Sequence, residues 1–229
     1  MSDAPFKPWI QVITYPLTFM ITVVGTLKGG TGKSTLSFNL AVWLATNGFN
    51  VEVFDLDLQQ TLVDVTDIRE EDGHEPIFPV YTDVSQLKPK PGIQTIVDVG
   101  TAKMNDMRTA IRKADRIIMP VPPSQADVWS TQRFLDIVKE ESEGRKPPAL
   151  YAFVNKSDTN PAIRETRETQ DALKMLEGIK VVIARLGLRT GFRRSFSEGL
   201  AVFELEPRSK AALEMNALAT VLFSALFIE

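Results

Sequence analysis

The chain contains no cysteine and a single histidine, His74. The first absence excludes disulfides, zinc–thiolate sites and iron–sulfur clusters, and is consistent with a reducing cytoplasm. The second excludes a histidine-rich metal centre, because one imidazole in the polar run Glu71-Asp72-Gly73-His74-Glu75 has no fellow ligand nearby. The three tyrosines, Tyr15, Tyr81 and Tyr151, are scattered rather than clustered. No apolar run approaches the ~18 residues of a spanning helix. The first residues carry only Lys7 and are interrupted by Pro5, Pro8 and Pro16, unlike the basic-then-apolar build of a secretory signal. The charge imbalance is small, a net −3, so any contact with nucleic acid must come from a local basic patch.

What is present suits an ordinary folded chain of 229 residues, with 44% hydrophobic and 24% charged residues. That length fits one α/β domain, expected over 20–229. Residues 1–19 form an N-terminal extension that either adds a strand around Trp9–Tyr15 or is disordered. Such an arrangement leaves little room for an N-terminal helix-turn-helix. Short β-branched runs alternate with helical spacing. Strands are expected at 21–25, 51–54, 77–81, 93–97, 117–121, 149–154 and 180–184. Helices are expected at 34–46, 107–114, 126–142, 162–176 and 209–227. Trp43 and Trp129, on two of these helices, read as packing residues. The alternation predicts a mostly parallel, doubly wound sheet flanked by helices.

The first strand runs into Lys28-Gly29-Gly30-Thr31-Gly32-Lys33-Ser34-Thr35 and then into a helix. A phosphate-binding loop has glycines so that backbone amides can turn toward phosphate oxygens, with the positive end of a helix behind them. Gly29, Gly30, Thr31, Gly32, Lys33, Ser34 and Thr35 are therefore the expected nucleotide-binding residues. Lys33 would neutralise the β- and γ-phosphates, and the Ser34 hydroxyl would take Mg²⁺. Leu27 occupies the usual first-glycine position, and Lys28 is an extra cation. Asp98, ending the apolar run Thr95-Ile96-Val97, has the form of a magnesium-holding carboxylate. With Ser34 it offers two hard-oxygen donors to the metal.

From Met20 onward the chain resembles the ParA/MinD family of P-loop ATPases with a deviant Walker A loop. The resemblance implies ATP and Mg²⁺ as cofactors. It implies that Lys28 reaches across an ATP-dependent homodimer to the partner's phosphates, acting with Lys33 and Asp57 in catalysis. Asp55-Leu56-Asp57-Leu58-Gln59 is similar to the family's D-x-D-P-Q element, which implies that Asp57 orients the attacking water, with Gln59 beside it, and touches the magnesium shell, completing a metal set with Ser34 and Asp98. Leu58 replaces the family proline, and Val99-Gly100-Thr101 replaces its prolines after Asp98.

Asn155-Lys156-Ser157-Asp158 matches the N-K-x-D box that reads guanine, yet an asparagine at this strand end contacts adenine in the ParA-like family. ATP is the favoured reading because the D-x-x-G switch is missing at Asp98, where the fourth residue is Thr101; GTP remains the alternative. Arg185, Arg189, Arg193 and Arg194 lie in a stretch without acids, a surface able to contact DNA phosphates without reading sequence. ParA-like proteins bind DNA non-specifically from this region; a solvated surface supporting the dimer is the other reading. Residues 211–229 contain no Lys or Arg and so lack the basic amphipathic helix of a membrane-docking relative. Leu213, Leu218, Val221, Leu222, Leu226 and Phe227 read as a face packed on the sheet.

The resemblance thus implies a slow ATP hydrolase, stimulated by a cargo adaptor, cytoplasmic and nucleoid-associated, with no membrane partner. It would position a plasmid, a chromosome region, or a protein body such as a carboxysome. A metabolic ATP-dependent enzyme on the same scaffold is the competing class.

Overall fold

Parallel strands need crossover connections, and right-handed crossovers on alternating sides put helices on both faces of the sheet. The computed structural model describes residues 20–160 and 162–226 and has this arrangement. The strands are β1 (Met20–Val24), β2 (Asn50–Asp55), β3 (Val80–Tyr81), β4 (Ile93–Asp98), β5 (Arg116–Val121), β6 (Ala149–Val154) and β7 (Ile179–Val181). They form one parallel sheet in the order β3-β2-β4-β1-β5-β6-β7. The helices are α1 (Lys33–Thr46), α2 (Thr61–Glu71), α3 (Met104–Lys113), α4 (Gln125–Glu141), α5 (Glu165–Lys174), α6 (Thr190–Ser197), α7 (Val202–Leu205) and α8 (Lys210–Phe223).

Side chains alternate between faces along each strand. Val24, Val53, Ile96, Ile118 and Phe153 pack with α1, α2, α7 and α8 on one face. Ile21, Val23, Phe54, Val97, Ile117 and Met119 pack with α3, α4 and α5 on the other. β1 lies between β4 and β5, with Val24 opposite both Asp98 and Ile118. The chain therefore departs to opposite sides around β1, and the crevice at the carboxyl ends of the strands opens there.

Several boundaries differ from expectation. The strand expected at 77–81 contracts to Val80–Tyr81, because Pro76 and Pro79 have no N–H to give a ladder. The helix expected at 162–176 starts only at Glu165, and the strand expected at 180–184 ends at Val181, beyond which Ile183 is 82% exposed. The last helix runs from Lys210, with Ser209 as its N-cap, and closes in a 3₁₀ turn over Ser224–Leu226. Its buried face holds Leu218, Leu222 and Leu226, whereas Leu213 and Val221 are exposed; Phe227 lies outside the described residues, as does the strand considered for Trp9–Tyr15. Three helices escape the apolar periodicity altogether: α2, α6 and α7. α2 buries only Leu62, Val65 and the arginine Arg69, too thin a stripe to read as a helix face. Trp43 is buried and stacks on Phe223, but Trp129 is 57% exposed at the start of α4, contrary to a packing role.

Candidate nucleotide site

The carboxyl ends of β1, β2, β4 and β6 bring the expected residues to one edge of the sheet. After β1 the loop turns through left-handed backbone at Gly30 (φ 71°) and Gly32 (φ 93°), where an L side chain is strained. A Cβ on Gly32 would also fall 2.6 Å from Asn155 Nδ2. The loop is braced from both sides: the Thr26 and Thr31 hydroxyls lie 3.1 Å apart, and Asn155 Nδ2 donates to the Thr31 carbonyl at 2.6 Å. Lys156 Nζ donates to the Gly30 carbonyl at 2.6 Å. α1 begins at Lys33 with no side-chain cap, so its first amides remain available to an anion.

Lys33, Ser34 and Thr35 line a cleft of about 440 Å³ with Gly29, Gly30, Asp57 and Thr101. Lys33 is buried and its ammonium donates to the Lys28 carbonyl at 3.4 Å. The Ser34 hydroxyl donates to Asp98 Oδ2 at 2.6 Å. Asp98 is fully buried, and its other oxygen has no hydrogen-bond partner among the described residues. Burial pushes the Asp98 carboxyl up to about 7, against the Ser34 hydroxyl and the nearby Lys33 charge, which pull it down. A divalent cation fits here. An orphaned carboxylate oxygen beside a serine hydroxyl is a hard-oxygen donor set of the kind that takes Mg²⁺ together with phosphate oxygens and water. Among the described residues no three His, Cys, Asp or Glu form a metal-ligand cluster, so the chain provides part of a shell rather than a closed cage.

The two aspartates after β2 have separate environments. Asp55 is buried and accepts from the amides of Leu62 and Val63, which anchors the start of α2. Burial raises its carboxyl, opposed by those amides. Asp57 is half-exposed to the cleft; its Oδ1 accepts from the Gln59 amide at 3.0 Å. A Cβ on Gly100 would lie 2.5 Å from Asp57 Oδ2 and 2.9 Å from its Cα. A side chain at Gly100 would therefore press on the Asp57 turn.

Asn155 and Lys156 also line a second cavity of about 360 Å³ with Leu36, Leu186, Phe192 and Arg193, on the far side of Gly32. Asp158 does not belong to it. Its Oδ1 accepts from the Asn160 amide, and it lines a different cavity.

Lys28 is placed differently from Lys33. It is absent from the residues lining the cleft, and its ammonium donates to Asp127 Oδ2 at 2.8 Å; the lysine side chain is 47% exposed and that of Asp127 5%. Asp127 sits in the first turn of α4, where Ser124 accepts from its amide and contacts its carboxylate. The serine and aspartate three positions apart are a visible capping signal, but nothing in it points to Lys28.

The four arginines are not equivalent. Arg189 makes a two-pronged pair with Glu214 (2.9 and 2.5 Å), and Arg194 pairs with Glu206 at 3.0 Å. The acid-free stretch thus acquires acids from α8 and the loop before it. Arg185 and Arg193 are exposed and make no ion pair among the described residues. Among those residues no helix is long and apolar enough to cross a membrane.

The profile of the CobQ/CobB/MinD/ParA nucleotide binding domain matches residues 21–202. The chain is 30% identical over 198 residues to Maintenance of carboxysome distribution protein A of Halothiobacillus neapolitanus, across 83% of this chain and 90% of that protein. It is 26% identical over 216 residues to Protein ParA of Rhizobium radiobacter, across 90% and 97% of the two chains. Its fold resembles that of apo McdA from Cyanothece, with a TM-score of 0.72 at 17% identity over 88% of this chain and 99% of that one. It also resembles the septum site-determining protein MinD of Pyrococcus horikoshii complexed with Mg-ADP, with a TM-score of 0.68 at 18% identity over 93% and 100%.

Proposed function

This chain belongs to the CobQ/CobB/MinD/ParA nucleotide-binding family, among ParA-like positioning and partition ATPases, and we propose that it is an ATP-dependent dimerising switch that uses non-specific DNA as its matrix. The cargo is a plasmid, a chromosome region or a protein body such as a carboxysome, the last being the cargo that one relative's name gives. A cargo adaptor stimulates hydrolysis.

The observation that carries this reading is the division of labour between the two lysines. Lys33 is buried in the cleft, where its charge meets the β- and γ-phosphates of a nucleotide held in the same copy. Lys28 is half-exposed, outside that cleft and paired with Asp127, so its charge can reach a triphosphate held by a second copy once it leaves that carboxylate. A cation delivered only when two copies close lowers the cost of the charge that develops on the transferred phosphoryl group. Ser34 and Asp98 would hold Mg²⁺, which would supply charge neutralisation to the phosphates when bound. Asp57 accepts a hydrogen bond from the attacking water and orients it, with Gly100 keeping its carboxylate at the cleft.

ATP is favoured over GTP by the split of the N-K-x-D segment. Asn155 faces the cavity beside Gly32, while Asp158 lines another cavity and so stands away from a base in the first. DNA retention with ATP, ADP and GTP tests the whole reading, using the wild type and Arg193→Ala. ATP-specific retention that weakens in the variant is expected; retention indifferent to nucleotide rejects the switch.

A further inference from the structure

A cavity of about 550 Å³ lies beside the nucleotide site, lined by Arg164, Arg167 and Arg185 together with Thr166, Asp158 and Glu168. None of the three guanidinium groups makes an ion pair with a described residue, in contrast to Arg189 and Arg194. Two of them stand at the start of α5, a ten-residue helix whose N-terminus has no side-chain cap. Thr166 is 4% exposed, lines the cavity, and its hydroxyl has no hydrogen-bond partner among the described residues. A buried hydroxyl without a partner is unfavourable unless a ligand or water satisfies it. Three cations against the carboxylates of Asp158 and Glu168 leave the cavity wall net positive, in a chain whose net charge is −3. The sign and the donor are those of a site for a tetrahedral oxyanion, and the cavity has room for one carried on a larger molecule.

We propose that the Arg164–Arg167–Arg185 cavity binds a phosphodiester group of the DNA backbone, with the Thr166 hydroxyl donating to it, and that it is a contact separate from the α6 arginines. The proposal rests on the DNA-matrix reading and names where a duplex is gripped. The segment 155–158 gives the grip a route to the nucleotide. Asn155 and Lys156 bind carbonyls of the phosphate loop, Ser157 bonds backbone to backbone with Leu186 and Leu188, and Asp158 enters the cavity wall. Lys156 holds a left-handed backbone (φ 55°) within this strap. Its ammonium on the Gly30 carbonyl ties that geometry to the loop that surrounds phosphate. The 184–189 stretch then continues the cationic surface, with Arg185 in this cavity and Arg189 in the next.

The test is DNA retention by the full chain with ATP across a salt series. Each phosphate contact contributes about −0.9 to the slope of log affinity against log salt. Arg164→Ala/Arg167→Ala should flatten the wild-type slope by about 1–2 while ATP-dependent dimerisation persists. Arg133→Ala/Lys139→Ala, an equal charge loss on exposed positions of α4, should leave the slope unchanged. Thr166→Val keeps the shape and removes only the hydroxyl; retention should fall severalfold with no loss of thermal stability. An unchanged slope in the Arg164/Arg167 variant, or an equal flattening in the α4 control, overturns the cavity assignment and leaves the DNA matrix standing. Wild type that retains no DNA with ATP removes both.

Discussion

The ammonium of Lys28 is held 2.8 Å from Asp127 Oδ2, across 99 positions of sequence, on a carboxylate that is itself nearly buried. In a single copy, then, the extra lysine of the phosphate loop is docked on the start of α4 rather than on the cleft its loop surrounds. In the proposed dimer, engagement of a second copy's nucleotide would exchange one anion for another. This gives Lys28→Ala two separable effects. Single-copy ATP binding should persist, because Lys33 and the loop amides remain, whereas the ATP-induced dimer should be lost in light scattering after size-exclusion chromatography. The unpaired Asp127 should also cost about 1–3 kcal/mol in urea unfolding. A Lys28→Ala protein that dimerises normally with ATP would show that the lysine has no role across the interface.

At Asp98, stability and the proposed metal binding pull in opposite directions. Asp98→Asn removes a charge from a fully buried position and can still accept from Ser34. The nucleotide-free variant should be at least as stable as wild type at pH 8, because the cost of burying the Asp98 charge outweighs the help of Ser34 and Lys33. The thermal stabilisation produced by Mg-ATP should shrink sharply, since ligand binding to the native state alone is its source. Differential scanning calorimetry with and without Mg-ATP reads both effects.

Gly100 is expected to matter for turnover more than for binding. An added methyl group would sit 2.5 Å from Asp57 Oδ2 and 2.9 Å from a backbone carbon, too close for a side-chain shift alone to relieve. Gly100→Ala should displace the Asp57 carboxylate and lower kcat by about 10- to 100-fold with little change in ATP affinity. Normal phosphate release by this variant would remove Asp57 from water positioning.

Arg69 is the largest fully buried side chain, and it ties α2 to the loop before α7. It donates to the carbonyls of Glu75, Pro76 and Gly199, and it pairs with both oxygens of Glu204. Arg69→Met should cost about 3–5 kcal/mol in urea unfolding, because it leaves a carboxylate and three carbonyls without their donor. Loss of less than 1 kcal/mol would mean that α2 stays in place without this tie.

The Arg189–Glu214 pair predicts a pH dependence with a defined sign. Burial pushes the Glu214 carboxyl up, but the Arg189 guanidinium and the Gly187 amide hold it below its ordinary value of 4.5. A depressed folded-state value gives stabilisation that is present above the unfolded value and lost as pH falls through the folded one. Glu214→Gln should therefore be less stable than wild type by about 1 kcal/mol at neutral pH, the two curves converging on acidification below 4.5. A gap that stays constant through that window would assign the loss to packing rather than to charge.

The phosphate loop is legible in the sequence because what it needs is local. Glycines at Gly30 and Gly32 permit a backbone turn, and Lys33 and Ser34 follow within the same few residues. Asp57, Asp98 and Asn155 are legible too, although they are far apart in the chain. Each follows or ends an apolar strand, and a parallel sheet brings all such ends to one edge. The polar helix α2 is not legible, because its burial depends on an arginine and not on an apolar stripe. The basic stretch 185–194 reads as free charge, yet Glu214 and Glu206 neutralise half of it from later elements.

Sequence alone determined the alternation of strands and helices, the parallel sheet and the residues gathered at the candidate nucleotide cleft, since periodicity and backbone freedom are properties of neighbouring positions. Tertiary structure decided which charges are spoken for: Lys28 by Asp127, Arg189 by Glu214, Arg69 by Glu204. It also decided that Arg164 and Arg167 join Arg185 around one cavity. Ion pairs form between side chains that the fold brings within a few ångströms, and no local pattern specifies which distant carboxylate arrives there.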